Sequence, residues 1–113
     1  MSGQPELEVL TVTTTVATLP AAEALAQRIL DSKLAACVQI DAAVSSLYRW
    51  QGAACHEPEL RLVIKTLPAC EPALQALFAE HHPYDLPQFV AVPARASPAY
   101  AQWVRDAIRP PPS

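Results

Sequence analysis

The adjacent pair His81-His82 is the feature of this chain that most directly suggests chemistry, because imidazole is the commonest metal ligand among side chains. Consecutive helical side chains diverge by about 100°, so both rings could reach one ion only where the helix has unwound. The other reading is a pair of imidazoles that complements the dipole at a helix C-terminus. Cys37, in the run Leu34-Ala35-Ala36-Cys37-Val38, offers either a thiolate or a small buried hydrophobe. Cys55-His56 is a contact for soft copper or zinc, or a solvated loop. Cys70, beside Glu71, suggests nothing. Lys65 closes the apolar run Leu62-Val63-Ile64 and suits a bound anion, an interface ion pair or a plain exposed charge. Tyr48, Trp50 and Tyr84 read as core or interface anchors that could also floor a small-molecule cleft. No G-x-S-x-G elbow or H-E-x-x-H helix occurs, so no enzyme is expected.

Composition narrows the classes further. The chain has 113 residues, net charge -3, 51% hydrophobic and 17% charged residues, which fits one globular domain with a core of its own. The mildly acidic balance and scattered basic residues give no footprint for a phosphate backbone, so nucleic acid is not expected as a partner. With only Gly3 and Gly52, no glycine-rich loop can cradle a nucleotide. Three cysteines, an odd number without C-x-x-C spacing, indicate a reducing compartment rather than a disulfide framework. The residues between Glu8 and Glu23 form the longest uncharged run, include five threonines, and fall short of the roughly 20 apolar residues a membrane span requires. A cytoplasmic protein without membrane association is expected.

The elements that must position these groups follow from periodicity. Leu7 to Thr14 is β-branched and short, with the poor alternation of a strand inside a sheet. Thr18 caps a helix with Pro20 in its first turn and Ala22, Leu25, Ala26, Ile29 and Leu30 on its apolar stripe, ending near Lys33. Val38 to Trp50 alternates with period two and reads as one strand, turned at Gln51-Gly52 into a returning strand through Leu60, Leu62 and Ile64. Pro58 marks an edge, a bulge or an interruption there. Pro68 to His81 carries Leu74, Leu77 and Phe78 at helical spacing, and Gln88 to Ala94 is a fourth strand. Ser97-Pro98 opens a third helix with a stripe of Tyr100, Trp103, Val104, Ala107 and Ile108, closed by Arg105, Arg109 and Pro110-Pro111-Pro112. One domain over 1–113 is expected, structured over 7–109 with flexible ends at 1–6 and 110–113.

The order is βαββαβ plus a C-terminal helix, an α+β class and the ferredoxin-like pattern, with two helices on one sheet face and the other face open. A second strand of about 13 residues, at roughly 3.3 Å each, is about 43 Å long and must overhang the sheet. Its apolar groups and unpaired edges predict a homo-oligomer.

Taken together, Leu34-Ala35-Ala36-Cys37-Val38, the hairpin Ser46-Leu47-Tyr48-Arg49-Trp50-Gln51-Gly52, Ile64-Lys65-Thr66, His82-Pro83-Tyr84 with Pro87, and Tyr100-x-x-Trp103 resemble the CutA divalent-cation tolerance family from about Leu7 to Ile108. The resemblance implies ferredoxin-like protomers in a tight homotrimer, similar to the PII signal-transduction proteins, with the long hairpins pairing between subunits. It also implies tolerance to copper and other divalent metals such as zinc, with copper ligands at a cysteine late in the first strand and at the paired histidines. The histidines carry over as His81 and His82, but Thr14 stands where the family has the cysteine, and a hydroxyl is a poor ligand for soft copper. Cys37 matches the cysteine of the family's L-A-A-C run and remains as a thiolate. The first expectation is therefore weak copper or zinc binding through His81, His82 and Cys37. The second is a PII-like sensor of a small ligand or anion in clefts between subunits, lined by Trp50, Lys65, His82 and Tyr84. The third is a structural trimeric platform.

Overall fold

Alternation within the first strand decides which side of the sheet carries the core. In β1 (Glu8–Val16) Leu10, Val12, Thr14 and Val16 are buried on one face, while Thr11, Thr13 and Thr15 stand half-buried on the other, as the period of two requires. This is a computed structural model and describes residues 7–108; the expected flexible ends and Arg109 lie outside the described residues. α1 (Leu19–Asp31) begins where the Thr18 hydroxyl accepts the N–H of Ala21 at 3.2 Å, with Pro20 in the first turn. That satisfies a backbone donor the helix leaves unpaired. It buries Ala22, Leu25, Ala26 and Ile29, and ends as Lys33 turns left-handed at φ 57. Leu30 lies at the rim of this face and stays exposed. α2 (Glu71–His81) follows a short 3-10 turn at Pro68–Cys70 and buries Leu74, Leu77 and Phe78. Both helices close over one core with Leu10, Val12, Val16, Leu62 and Ile64.

The sheet is antiparallel throughout. Its path runs β2 (Cys37–Ile40), β4 (Ala53–Thr66), β1, β5 (Val90–Arg95), with β3 (Val44–Trp50) paired to the outer half of β4. β1 and β2 run parallel to each other with β4 between them, so the chain order and the spatial order differ.

The single strand expected from Val38 to Trp50 is corrected to two. Ile40 lies opposite Leu62 and Val44 opposite Glu59, so one strand takes one more residue than its partner over the same stretch. An extra residue of this kind reverses the facing of everything beyond it. Val38 and Ile40 therefore share a face with Ile64 and Leu62, whereas Val44, Ser46, Tyr48 and Trp50 fall in with Glu59, Glu57, Cys55 and Ala53. Asp41 holds the kink: its N–H donates to the Arg61 carbonyl at 2.8 Å and its carboxylate accepts from Arg61 Nε at 2.7 Å. The overhang is the hairpin of β3 and the outer half of β4, and β4 runs unbroken through Pro58, whose ladder partner lies on one side only, at Ser45. The hairpin turns at Gln51 and Gly52, φ 49 and 80, the two left-handed residues a tight two-residue turn demands.

The third helix departs from expectation in part: Val104 is buried and Ile108 half-buried, as its expected stripe requires, but the aromatic members of that stripe are not. α3 (Pro98–Ile108) buries Ala101 and Val104, and leaves Tyr100 and Trp103 exposed. It packs on Val9, Ala36, Leu67 and Ala94 in a separate small cluster, on the face opposite α1 and α2. The second face is thus covered at one end rather than open. Beyond α3, Val90 and Val92 remain exposed on β5.

Candidate functional site

β1 and the extended residues that end α2 bring together a buried polar pair, Thr14 and His82. His82 leaves the helix at φ -71, ψ 136, which turns its ring inward while His81 stays on the outside. His82 is 8% exposed, between the rings of Phe78 and Tyr84 at 5.3 and 5.2 Å. Its Nδ1 accepts the N–H of Tyr84 at 3.1 Å, and its Nε2 lies 3.0 Å from Thr14 Oγ1. An Nδ1 that accepts carries no proton, so the neutral ring holds its proton on Nε2 and donates it to Thr14. Burial keeps the His82 imidazole below its ordinary pKa, against a backbone hydrogen bond with Thr15 and the Glu59 carboxylate, which favour the cation.

Tyr84 extends the chain of contacts to the hairpin. Its hydroxyl donates to Glu59 at 2.7 Å, and two residues along β4 Glu57 accepts from the Tyr48 hydroxyl at 3.1 Å. Partial burial and the bond to Glu59 push the Tyr84 phenol well above its usual pKa; desolvation and Glu57 raise that of Tyr48. A continuous line thus runs Thr14, His82, Tyr84, Glu59, from the sheet core to the base of the hairpin. Glu59 was missed in the sequence, although Glu57-x-Glu59 has the strand spacing that puts two carboxylates on one face.

The expected metal set does not converge. Cys37 pairs with Lys65 across β2 and β4, in the same row as Thr11 and Val92, which is the face opposite Thr14. The sheet itself separates Cys37 from His82. His81 is exposed, 3.3 Å from the Glu80 carboxylate, and lines a shallow groove of about 270 Å³ with Arg28, Leu25 and Pro83. Among the described residues no three His, Cys, Asp or Glu side chains come together as metal ligands. Thr14 and His82 do not fit a soft copper ion either, since one is an uncharged hydroxyl and the other presents a proton.

The expected cleft is likewise dispersed within one chain. Trp50 sits opposite Ala53 at the hairpin tip and Lys65 near the far end of β4, about 40 Å apart at strand rise. Tyr84 meets β4 midway, at Glu59. Cys55-His56 lies on the exposed hairpin, where His56 Nε2 is 2.7 Å from Ser45 Oγ. The three cysteines are free.

An antiparallel sheet with two helices on one face, a projecting hairpin and a buried histidine tying the loop after α2 to the central strand define an α+β protein of ferredoxin-like strand order. The chain matches the CutA1 divalent ion tolerance protein family over residues 10–107, and it belongs to that family. It is 37% identical over 93 residues to the divalent-cation tolerance protein CutA of Thermus thermophilus, covering 81% of this chain and 90% of that one. Among solved structures, CutA1 from Oryza sativa superposes with a TM-score of 0.87 at 32% identity, covering 94% of this chain and 98% of that one. CutA from Synechococcus elongatus gives 0.85 at 36% identity, covering 91% and 92%.

Proposed function

We propose that the chain serves divalent-cation tolerance as a homotrimer of ferredoxin-like protomers, PII-like in assembly, non-enzymatic and cytoplasmic, with weak cation contacts at its surface. The observation that carries the assembly is the hairpin. β1 ends at Val16 opposite Leu60, so among the described residues the edge of β4 from Ala53 to Glu59 has no strand beside it on that side. On β3, the other strand of the hairpin, Leu47, Tyr48 and Trp50 stand 74%, 41% and 43% exposed. An open strand edge beside exposed apolar side chains is a template for another chain, and pairing with copies of itself removes the liability. The antiparallel path β2-β4-β1-β5 supports the ferredoxin-like reading.

Copper or zinc contact falls to His81 beside Glu80, a solvent-exposed pair 3.3 Å apart suited to weak binding. The free thiols support the cytoplasmic reading. Among the described residues no helix is long and apolar enough to cross a membrane. A second reading is a small-ligand or anion sensor. Because Trp50 and Lys65 are so far apart in one chain, a cleft lined by Trp50, Lys65 and Tyr84 requires different protomers to supply them.

Native mass spectrometry of the reduced protein, titrated with Cu(I), Cu(II) and Zn(II), tests both readings. A trimer that takes up metal only at high micromolar concentration is expected. A monomer overturns the assembly, and tight stoichiometric loading overturns the weak surface site. A trimer that stays metal-free and takes up a nucleotide or phosphate favours the second reading.

A further inference from the structure

The resemblance puts soft-metal ligands at a first-strand cysteine and at the paired histidines, and in this chain those places hold Thr14 and His81-His82, of which only His82 faces Thr14. We propose that Thr14 and His82 form a closed hydrogen-bonded lock that excludes the metal, ties the loop after α2 to the sheet core, and holds the Tyr84 hydroxyl on Glu59. The argument needs only the geometry of one protomer and stands apart from the proposed trimer.

Three observations carry it. The Tyr84 N–H at 3.1 Å commits the lone pair of Nδ1. The proton this leaves on Nε2 is directed at Thr14 Oγ1, 3.0 Å away. Neither nitrogen therefore offers a lone pair to an ion. Binding at Nε2 would move the proton to Nδ1, where it would face the Tyr84 N–H, donor against donor. The ring is also shut in between Phe78 and Tyr84. Opposite the ring stands a neutral hydroxyl, a poor substitute for a thiolate toward Cu(I) or Zn(II). As in metal sites where a second hydrogen bond fixes the imidazole tautomer, the bond to Tyr84 fixes it here, and it fixes the tautomer that does not coordinate.

Long-range proton–nitrogen NMR of the imidazoles, on the whole reduced protein with Zn(II) and then Cu(I) added to about ten equivalents, tests the lock. His82 is expected to show the Nε2–H tautomer, with its ring signals and the Tyr84 amide unmoved. Shift or loss of both on the first equivalent would overturn the proposal. Thr14→Cys supplies the missing thiolate, while Cys37, Cys55 and Cys70 are common to both proteins. Against a colorimetric Cu(I) chelator it is expected to bind at least about tenfold more tightly than the unaltered chain and to displace the Tyr84 amide. Binding no tighter than the unaltered chain would show that the hydroxyl is not what keeps copper out. Should Thr14→Cys fail to fold, the NMR experiment on the unaltered protein decides alone.

Discussion

Replacing Thr14 with Val keeps the shape of the side chain and removes the acceptor for the buried His82 Nε2–H. The hydrogen bond spans 3.0 Å between groups 0% and 8% exposed. A buried donor left unpaired costs about 1–3 kcal/mol. The Thr15 backbone is placed to take up part of that donor, so the lower half of the range, about 1–2 kcal/mol, is expected. For a domain of this size that is roughly 4–8 °C in Tm, read by denaturation of both proteins at one fixed concentration, since assembly would make Tm concentration-dependent. The pH profile provides a second reading. His82 is held neutral in the native state, below its ordinary value, so the unfolded chain takes up a proton first as pH falls below about 6.5. Its contribution is therefore complete above that pH and is lost as pH falls through the lower native value. In His82→Gln the part of the acid slope due to this ring should vanish. A Thr14→Val protein within about 0.5 kcal/mol of the original at neutral pH would refute the energetic part of this reasoning and assign the Nε2 proton to the Thr15 carbonyl.

The remaining predictions concern the hairpin, the tyrosines and the end of α1. Leu47→Asp with Trp50→Ala should convert the assembly to monomers by light scattering while circular dichroism keeps the sheet; an unchanged mass would remove the hairpin from the interface. Burial and the bond to Glu59 hold the Tyr84 phenol well above its usual pKa, so of the three tyrosines Tyr84 should be the last to develop tyrosinate absorbance as pH rises above about 10. The stability Tyr84 contributes is fully present below the unfolded value and is lost as pH rises from there through the higher native value, and Tyr84→Phe should flatten that slope. Lys33→Gly relieves a left-handed residue at the helix end and should stabilise by about 0.5–1 kcal/mol in urea denaturation; a loss would mean that the Lys33 side chain has a partner worth more than the strain.

Local rules determined much of this protein. The Thr18 cap, the stripe Ala22, Leu25, Ala26 and Ile29, and the turn at Gln51-Gly52 are set by residues within one helical turn or one hairpin of each other, so spacing alone locates them. The family was equally legible, because its motifs are short runs with fixed intervals. Tertiary structure decided what depends on register. One extra residue near Asp41 reversed the facing of β3, and no period-two count can detect that, since alternation continues unbroken on both sides. α3 chose Ala101 and Val104 over its larger aromatic stripe because close approach to Val9 and Ala94 rewards small side chains. The candidate site shows the same division. His82, Tyr84 and Cys37 were legible as residue types, but the bond of His82 to Thr14 and the meeting of Tyr84 with Glu59 join residues 68 and 25 apart, which only the folded chain brings within hydrogen-bonding range, and the sheet that separates Cys37 from His82 is likewise a product of register.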